Sequence, residues 1–416
     1  MAELSRLAET LGLEVTETLE QGRRDGTGYL GRGKREELRE LVETLGARLV
    51  VADDELSPSQ ARVLEKAAGV PVVDRTLLII RIFEAHASEA ASRMEVELAE
   101  LSYRLPRVKG GNTALSRLGG GVGTRGPGEQ QLEYDRRVIR RRIERIRRKL
   151  EEQKAARRVR GASLGKGGLA KVALTGYTNA GKTTILNALS GENGSTANRL
   201  FETLETTTRL VTEDHGTVAG VDGRSEVGTS RPSFVLTDTV GFIRKLPTQL
   251  LHSFASTLEA AGVADVLVLC ADASSEKLGE EIRTVEDTLS EVLSTEELDG
   301  CLEGGNLTGR RETLLCLNKS DLISPERRRE LRALYPDAVM ISAREDTNPL
   351  GMAIYEAVSR GRVRVELLIP HAEYGAVGGL YGKAEIHTRE DTMEGLKLDV
   401  TLSKPQARRY AHYRIG

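Results

Sequence analysis

Tryptophan is absent from this 416-residue chain, and only five phenylalanines occur. A surface that reads bases by stacking needs aromatic rings, so composition argues against one. The three cysteines, Cys270, Cys301 and Cys316, stand far apart and form no CxxC pair. That excludes a disulfide framework or a zinc knuckle and leaves a reducing compartment as the expectation. No run approaches the roughly 18–20 apolar residues of a membrane-spanning helix. The opening MAELSRLAETLGLEVTETLE lacks the apolar stretch of a secretory signal. These absences point to the cytoplasm. Net charge is missing too: 60 basic residues face 62 acidic ones. Only local clustering of charge can therefore mark a nucleic-acid partner.

What remains is ordinary globular material. Apolar residues make up 39% and glycine adds 43 positions, enough for sizeable cores. At roughly 100–200 residues per domain, two to four domains are expected. Residues 1–105 read as alternating helix and strand, a small α/β domain. Helical spacing covers Arg35–Leu45, and Ala47–Ala52 and Val70–Val73 are short strands. Between them Ser57 and Pro58 open a helix that Gly69 closes. Thr76–Leu105 reads as one long helix ending before Pro106.

Residues 106–128, PRVKGGNTALSRLGGGVGTRGPG, are Gly-rich and basic without an apolar period. A flexible linker is the plainer reading, but linkers rarely carry arginine and lysine at this density. Residues 129–160 then read as one helix with a narrow stripe: Leu132, Val138, Ile139, Ile143, Ile146 and Leu150. The rest is largely arginine and lysine. A solvated helix face would explain such a charge run. Its continuity with the basic loop favours a phosphate-backbone partner along 107–160.

From about 166 to 362 strands alternate with helices, which predicts a mainly parallel sheet with helices on both faces. The strands expected are Leu169–Thr175, Ser233–Thr237, Asp265–Ala271, Thr313–Leu317 and Ala338–Ile341. Glu213–Pro232 and Ser294–Glu312 read as surface loops. Residues 363–416 form a small C-terminal α/β module. The fold class is therefore α/β and multidomain: 1–105, an arm at 106–165, 166–362 and 363–416.

Three motifs in the third segment carry chemistry. Gly176–Thr183, GYTNAGKT, matches G-x-x-x-x-G-K-[ST] between a strand and a helix, the context that this P-loop pattern requires. Backbone N–H groups of Gly176, Tyr177, Thr178, Asn179, Ala180 and Gly181 would wrap phosphates at a helix N-terminus. Lys182 would reach the β- and γ-phosphates, and Thr183 would place its hydroxyl on Mg²⁺. Asp238-Thr239-Val240-Gly241 follows a strand about 55 residues on. Asp238 would hold Mg²⁺ through water, and the Gly241 N–H would approach the γ-phosphate. Asn318-Lys319-Ser320-Asp321 follows another strand. The Asp321 carboxylate can accept two N–H bonds from guanine, a pattern adenine does not offer. Asn318 and the Lys319 stem would position ring and loop, and a backbone N–H at Ser342-Ala343 would meet the guanine oxygen. Together these select GTP and GDP over adenine nucleotides.

The flanking residues carry a family resemblance. GYTNAGKTT, DTVGFIRKLPTQL at 238–250 and above all GGGVGTRGPGEQQLEYDRR at 119–137 resemble the HflX family of ribosome-associated GTPases. So do YLGRGKREEL at 29–38, DDELSPSQARVLEKAAGVPVVDRTLLIIRIF at 53–83 and VELAELSYRLPR at 96–107. The likeness spans roughly 25–362, with the last module less distinctive. It implies a Mg²⁺-dependent GTPase that hydrolyses slowly alone and is activated on the large ribosomal subunit. It also implies that the N-terminal domain and the arm at 107–160 meet large-subunit RNA, where bacterial members separate stalled ribosomes. Thr203, Thr206, Thr207 and Thr208 are candidates for a threonine that senses γ-phosphate and Mg²⁺; the family pattern F-A-T-L-D aligns with Phe201–Glu205, so the resemblance implies that Phe201 and Thr203 reach nucleotide and Mg²⁺. Glu202 and Glu205 depart from that pattern. Thr184 extends the P-loop set. Lys182, Thr203 and Gly241 are the residues expected to act on the γ-phosphate.

One position is conspicuous. Ras-type enzymes place a glutamine after the DxxG motif to orient the attacking water. Here that position is Phe242, which cannot hydrogen-bond water, so hydrolysis without a partner should be slow. Arg209, Arg244 and Lys245 are conceivable charge donors, though surface roles explain each as well. No heptad seam of useful length is present, and a monomer is expected.

Overall fold

The computed structural model describes residues 2–22, 28–108, 127–165, 169–191, 201, 206–212, 233–245, 260–293, 312–360, 362–380 and 384–415. The Gly-rich stretch 109–126, the loops 213–232 and 294–311, and Thr203 lie outside them. The chain forms two compact units. One holds Met1–Ala155 with Arg199–Leu204 and Lys245–Ala255, and the other holds the remainder.

The first unit opens with α1 (Ala2–Thr10), α2 (Arg32–Leu45), β1 (Val50–Ala52), α3 (Pro58–Ala68) and β2 (Val72–Asp74). β1 and β2 pair in parallel, Val50 beside Val72. The α3 start behaves as its sequence predicts. Ser57 accepts from the Gln60 N–H while the Gln60 side chain accepts from the Ser57 N–H, and Pro58 opens the first turn.

The expected single helix over Thr76–Leu105 is instead two, α4 (Arg75–His86) and α5 (Ala90–Arg104). The physical reason lies in α4. Leu78, Ile79, Ile80, Ile82 and Phe83 are all buried, so this helix needs cover on more than one side. The break at Ala87–Glu89, with Ala87 extended (φ −70°, ψ 107°), lets α5 pack back on α4.

The arm helix α6 runs Pro127–Gly165, longer at both ends than its stripe alone predicts. Ile143, Ile146 and Leu150 bury themselves with Leu98 of α5, and Ile139 packs against the group. Arg142 grips Glu97 of α5 through Nε (2.7 Å) and Nη2 (2.8 Å). The same unit includes Phe201, whose ring lies 4.5 Å from that of Phe83. It also includes Lys245, whose ammonium pairs with Asp54 and donates to the Asp53 carbonyl at 3.2 Å.

The second unit is built on β3 (Ala170–Gly176), α7 (Lys182–Ser190), β4 (Thr207–Val211), β5 (Phe234–Asp238), β6 (Val266–Asp272), α8 (Leu278–Leu293), β7 (Glu312–Asn318), α9 (Pro325–Leu334), β8 (Val339–Met340) and α10 (Asn348–Arg360). Six strands form one sheet in the order β4-β5-β3-β6-β7-β8. All neighbours are parallel except β4, which runs antiparallel to β5. The five strands expected from sequence are all present. β4 was not among them, because its burial alternates weakly at a sheet edge. Val266, Val268 and Cys270 of β6 join one core, and Leu267 and Leu269 between them are buried on the other face. A strand covered on both faces gives a continuous apolar run, as its sequence does. Ile185 and Leu186 of α7 and Leu350, Ile354 and Tyr355 of α10 complete that core.

The C-terminal residues make a three-stranded antiparallel sheet from β9 (Arg362–Ile369), β10 (Glu385–Asp391) and β11 (Leu396–Ser403), with β11 central. β11 alternates Leu396, Leu398, Val400 and Leu402 inward. β10 carries four consecutive exposed residues, which hides it from an apolar-pattern reading. No helix among the described residues is long and apolar enough to cross a membrane.

Candidate nucleotide-binding site

Parallel strands deliver their C-terminal ends to one edge of a sheet, and this edge gathers the three motifs. β3 ends in Gly176, β5 in Asp238 and β7 in Asn318.

The P-loop connects β3 to α7. Asn179 adopts a left-handed conformation (φ +62°) and Gly181 caps the helix at φ +90°. A Cβ on Gly181 would stand 2.3 Å from the Asn318 amide nitrogen, so both conformation and space demand glycine. No side chain caps this helix end, which leaves its first N–H groups directed at the loop's concavity. Lys182 is 5% exposed, and its Nζ donates to the carbonyls of Gly176 (3.2 Å) and Tyr177 (3.0 Å). Burial pushes its pKa below the usual lysine value, against the opposing pull of Asp238. An anion beside it would relieve that burial.

Thr183 Oγ1 donates to Asp238 Oδ2 at 2.7 Å. A hydroxyl and a carboxylate held at this distance suit a hard cation that takes oxygen ligands and keeps waters. No cluster of three or more acidic, His or Cys side chains suited to a metal occurs among the described residues. Thr239 Oγ1 donates to the Leu174 carbonyl (2.7 Å), fixing the chain just after Asp238.

Two backbone bonds then tie this segment to the P-loop. Phe242 N–H donates to Gly176 O (3.0 Å), and Thr178 N–H donates to Phe242 O (2.7 Å). Between them Gly241 comes so close that a Cβ would lie 2.9 Å from Thr178 Cα and 3.0 Å from Lys182 Nζ. The Phe242 ring is buried, 4% exposed. The Tyr177 hydroxyl accepts from the Arg244 N–H at 2.9 Å, a contact that no motif signals.

At the end of β7, Asn318 is a brace. Its Nδ2 donates to Ala180 O and its Oδ1 accepts from Ala343 N–H, both at 2.9 Å. That Ala343 N–H is therefore engaged by Asn318 rather than turned toward a ligand. Lys319 adopts φ +62° and its Nζ binds Asp272 Oδ2 at 2.7 Å. Asp321 is exposed on a single 3₁₀ turn, with no hydrogen bond or ion pair among the described residues. Two buried hydroxyls, Thr178 Oγ1 at the P-loop and Ser342 Oγ beside the base motif, also have no hydrogen-bond partner among them. Buried polar atoms normally find partners.

The structure thus brings together Gly176, Tyr177, Thr178, Asn179, Ala180, Gly181, Lys182, Thr183, Thr184, Asp238, Gly241, Asn318, Lys319, Asp321, Ser342 and Ala343 within the second unit. Phe201 belongs to the first unit, with its ring on Phe83, and Thr203 lies outside the described residues. Arg209 is a tether: it donates to Asn187 Oδ1 (2.8 Å) and Ser190 Oγ (3.1 Å). Asp272 escaped the sequence reading, because the strand pattern stops one residue earlier.

Comparison with known proteins follows the same lines. Residues 1–84 match the family described as GTP-binding GTPase N-terminal, 86–163 the GTP-binding GTPase middle region, and 171–300 the 50S ribosome-binding GTPase. The chain is 46% identical over 292 residues to GTPase HflX of Caldanaerobacter subterraneus subsp. tengcongensis, covering 70% of this chain. That match spans 65% of the relative's own length. With GTPase HflX of Gluconacetobacter diazotrophicus it shares 33% identity over 450 residues, 96% of this chain and 90% of the relative. A GDP-complexed GTP-binding protein from Sulfolobus solfataricus aligns at 21% identity and TM-score 0.40, over 86% of this chain and 94% of that one.

Proposed function

Because the chain belongs to the HflX family of GTPases, we propose that it is a GTP-hydrolysing switch that works on the large ribosomal subunit in the cytoplasm. The observation that carries the nucleotide part is the Asn318 brace: one side chain holds the P-loop carbonyl of Ala180 and the Ala343 N–H together. It links the phosphate cradle to the base-reading loop that bears the open Asp321 carboxylate. In this reading Lys182 and the P-loop N–H groups hold the phosphates. Thr183 and Asp238 serve Mg²⁺, Gly241 borders the nucleotide, and Asp321 reads guanine. Bound Mg²⁺ would neutralise charge on the phosphates.

The ribosomal part is supported by the match of 171–300 to a family described as 50S ribosome-binding and by the basic exposed face of α6. We take the arm at 107–160 to contact large-subunit RNA, and the protein to act as a monomer that separates or services stalled ribosomes. The four-part division at 105, 165 and 362 belongs to the same proposal.

The buried Phe242 favours turnover that depends on a partner, since this position offers no polar atom to water. The test is GTP turnover with and without purified large subunits, with ATP as control. Stimulation by the subunit, with GTP preferred, is the expected result. GTP binding without stimulation would favour the second reading, a nucleotide-regulated RNA-binding protein with little turnover.

A further inference from the structure

The β6–β7 register sets Asp272 beside Asn318, and the side chain of Asp272 is doubly engaged. Its Oδ1 accepts from the Ser274 N–H (2.9 Å) and the Ser274 hydroxyl (2.6 Å), while Oδ2 takes the Lys319 ammonium at 2.7 Å. The Ala273 N–H donates to Asn318 O at 2.9 Å, which locks the two strand ends together. Successive residues of the motif are therefore held by different partners. Asn318 is fixed to Ala180 and Ala343, and Lys319 is fixed to Asp272.

Two consequences follow for a planar base. A lysine held at its backbone and at its ammonium presents its four-carbon stem as an extended apolar strip, a surface on which a purine face can rest. The second consequence is electrostatic. The Lys319 ammonium binds Asp272 at 2.7 Å, and a second carboxylate, Asp321, follows two residues on in the sequence. While Nζ is committed to Asp272, the Asp321 carboxylate stays open. An unanchored ammonium would regain its rotamers and compete with the base for that carboxylate.

We propose that Asp272 is a positioning residue for guanine recognition, one that holds Lys319 flat and away from Asp321. This rests on the reading of Asp321 as the group that binds the base. Asp272 itself touches no nucleotide. The side chains of the pair are only 22% and 21% exposed, so the urea comparison below separates what it adds to folding from where it puts the lysine.

The experiment measures the affinity of the full-length protein for fluorescent GDP and for unlabelled GTP, XDP and IDP by competition. The variants are Asp272→Asn, Lys319→Met, the double variant and Asp321→Asn. Asp272→Asn should weaken GDP and GTP equally, by about tenfold, the scale of the freedom that a released lysine regains. The guanine-over-inosine preference should fall with it. Lys319→Met keeps the stem and removes the competing charge, so adding Asp272→Asn to it should cause no further loss. Wild-type affinity for Asp272→Asn, or losses that add in the double variant, would overturn the proposal. A failure of Asp321→Asn to shift preference toward XDP would instead overturn the base reading beneath it. Equal urea midpoints for the nucleotide-free variants separate these outcomes from misfolding.

Discussion

Phe242 shows what a single side chain does when a motif departs from its usual form. Its backbone is bonded to Gly176 and Thr178, and its ring is buried. The position therefore anchors the strand edge and presents nothing to water. Replacing Phe242 with glutamine should not create a water-orienting group. Intrinsic GTP turnover should stay within about twofold of wild type, while the buried amide lowers stability by about 1–3 kcal/mol. Single-turnover hydrolysis and a urea melt check both halves. A large gain in intrinsic rate would show that the side chain can reach the γ-phosphate. At this scale the site was highly legible, because Lys182, Thr183, Asp238, Asn318 and Asp321 are set by local spacing. Asp272 was not, because its meaning comes from strand pairing with a residue 46 positions away, and pairing is invisible in a linear pattern.

Among the elements, the arm helix is where pattern and packing can be separated. Its narrow stripe predicted one buried edge, and Ile143, Ile146 and Leu150 are that edge, against Leu98. Ile146 is 2% exposed. Ile146→Ala should cost about 2–4 kcal/mol, from lost burial plus the cavity left behind. Hydrogen exchange should quicken in α5 and α6 while β3 and β6 keep their protection. Uniform loss of protection would mean that the arm and the sheet unfold together. The elements that sequence missed share a cause. The break between α4 and α5, the edge strand β4 and the exposed strand β10 are all set by what lies beside them. None carries a strong period of its own.

Over the whole molecule, charge is close to balanced, yet α6 concentrates arginine on faces that the core does not use. Arg142 is clamped by Glu97 through two bonds, whereas Arg140 makes only a 3.7 Å pair with Glu133, so the arginines for testing are Arg136, Arg137, Arg140 and Arg141. Replacing these four with glutamine should weaken binding to large subunits and reduce the slope of log affinity against log salt by up to about 3, from less than one counterion per contact. Unchanged salt dependence in a sedimentation assay would remove the arm from the RNA contact. Another whole-molecule consequence begins at the phosphate cradle. Asp238 is held in its strand, Thr239 by Leu174, and Phe242 by two bonds to the P-loop. Only Val240 and Gly241 hang between fixed posts. If Gly241 meets the γ-phosphate as proposed, so short a span would respond by rotating a peptide plane or releasing a post. The segment would then work as a latch rather than as a slide.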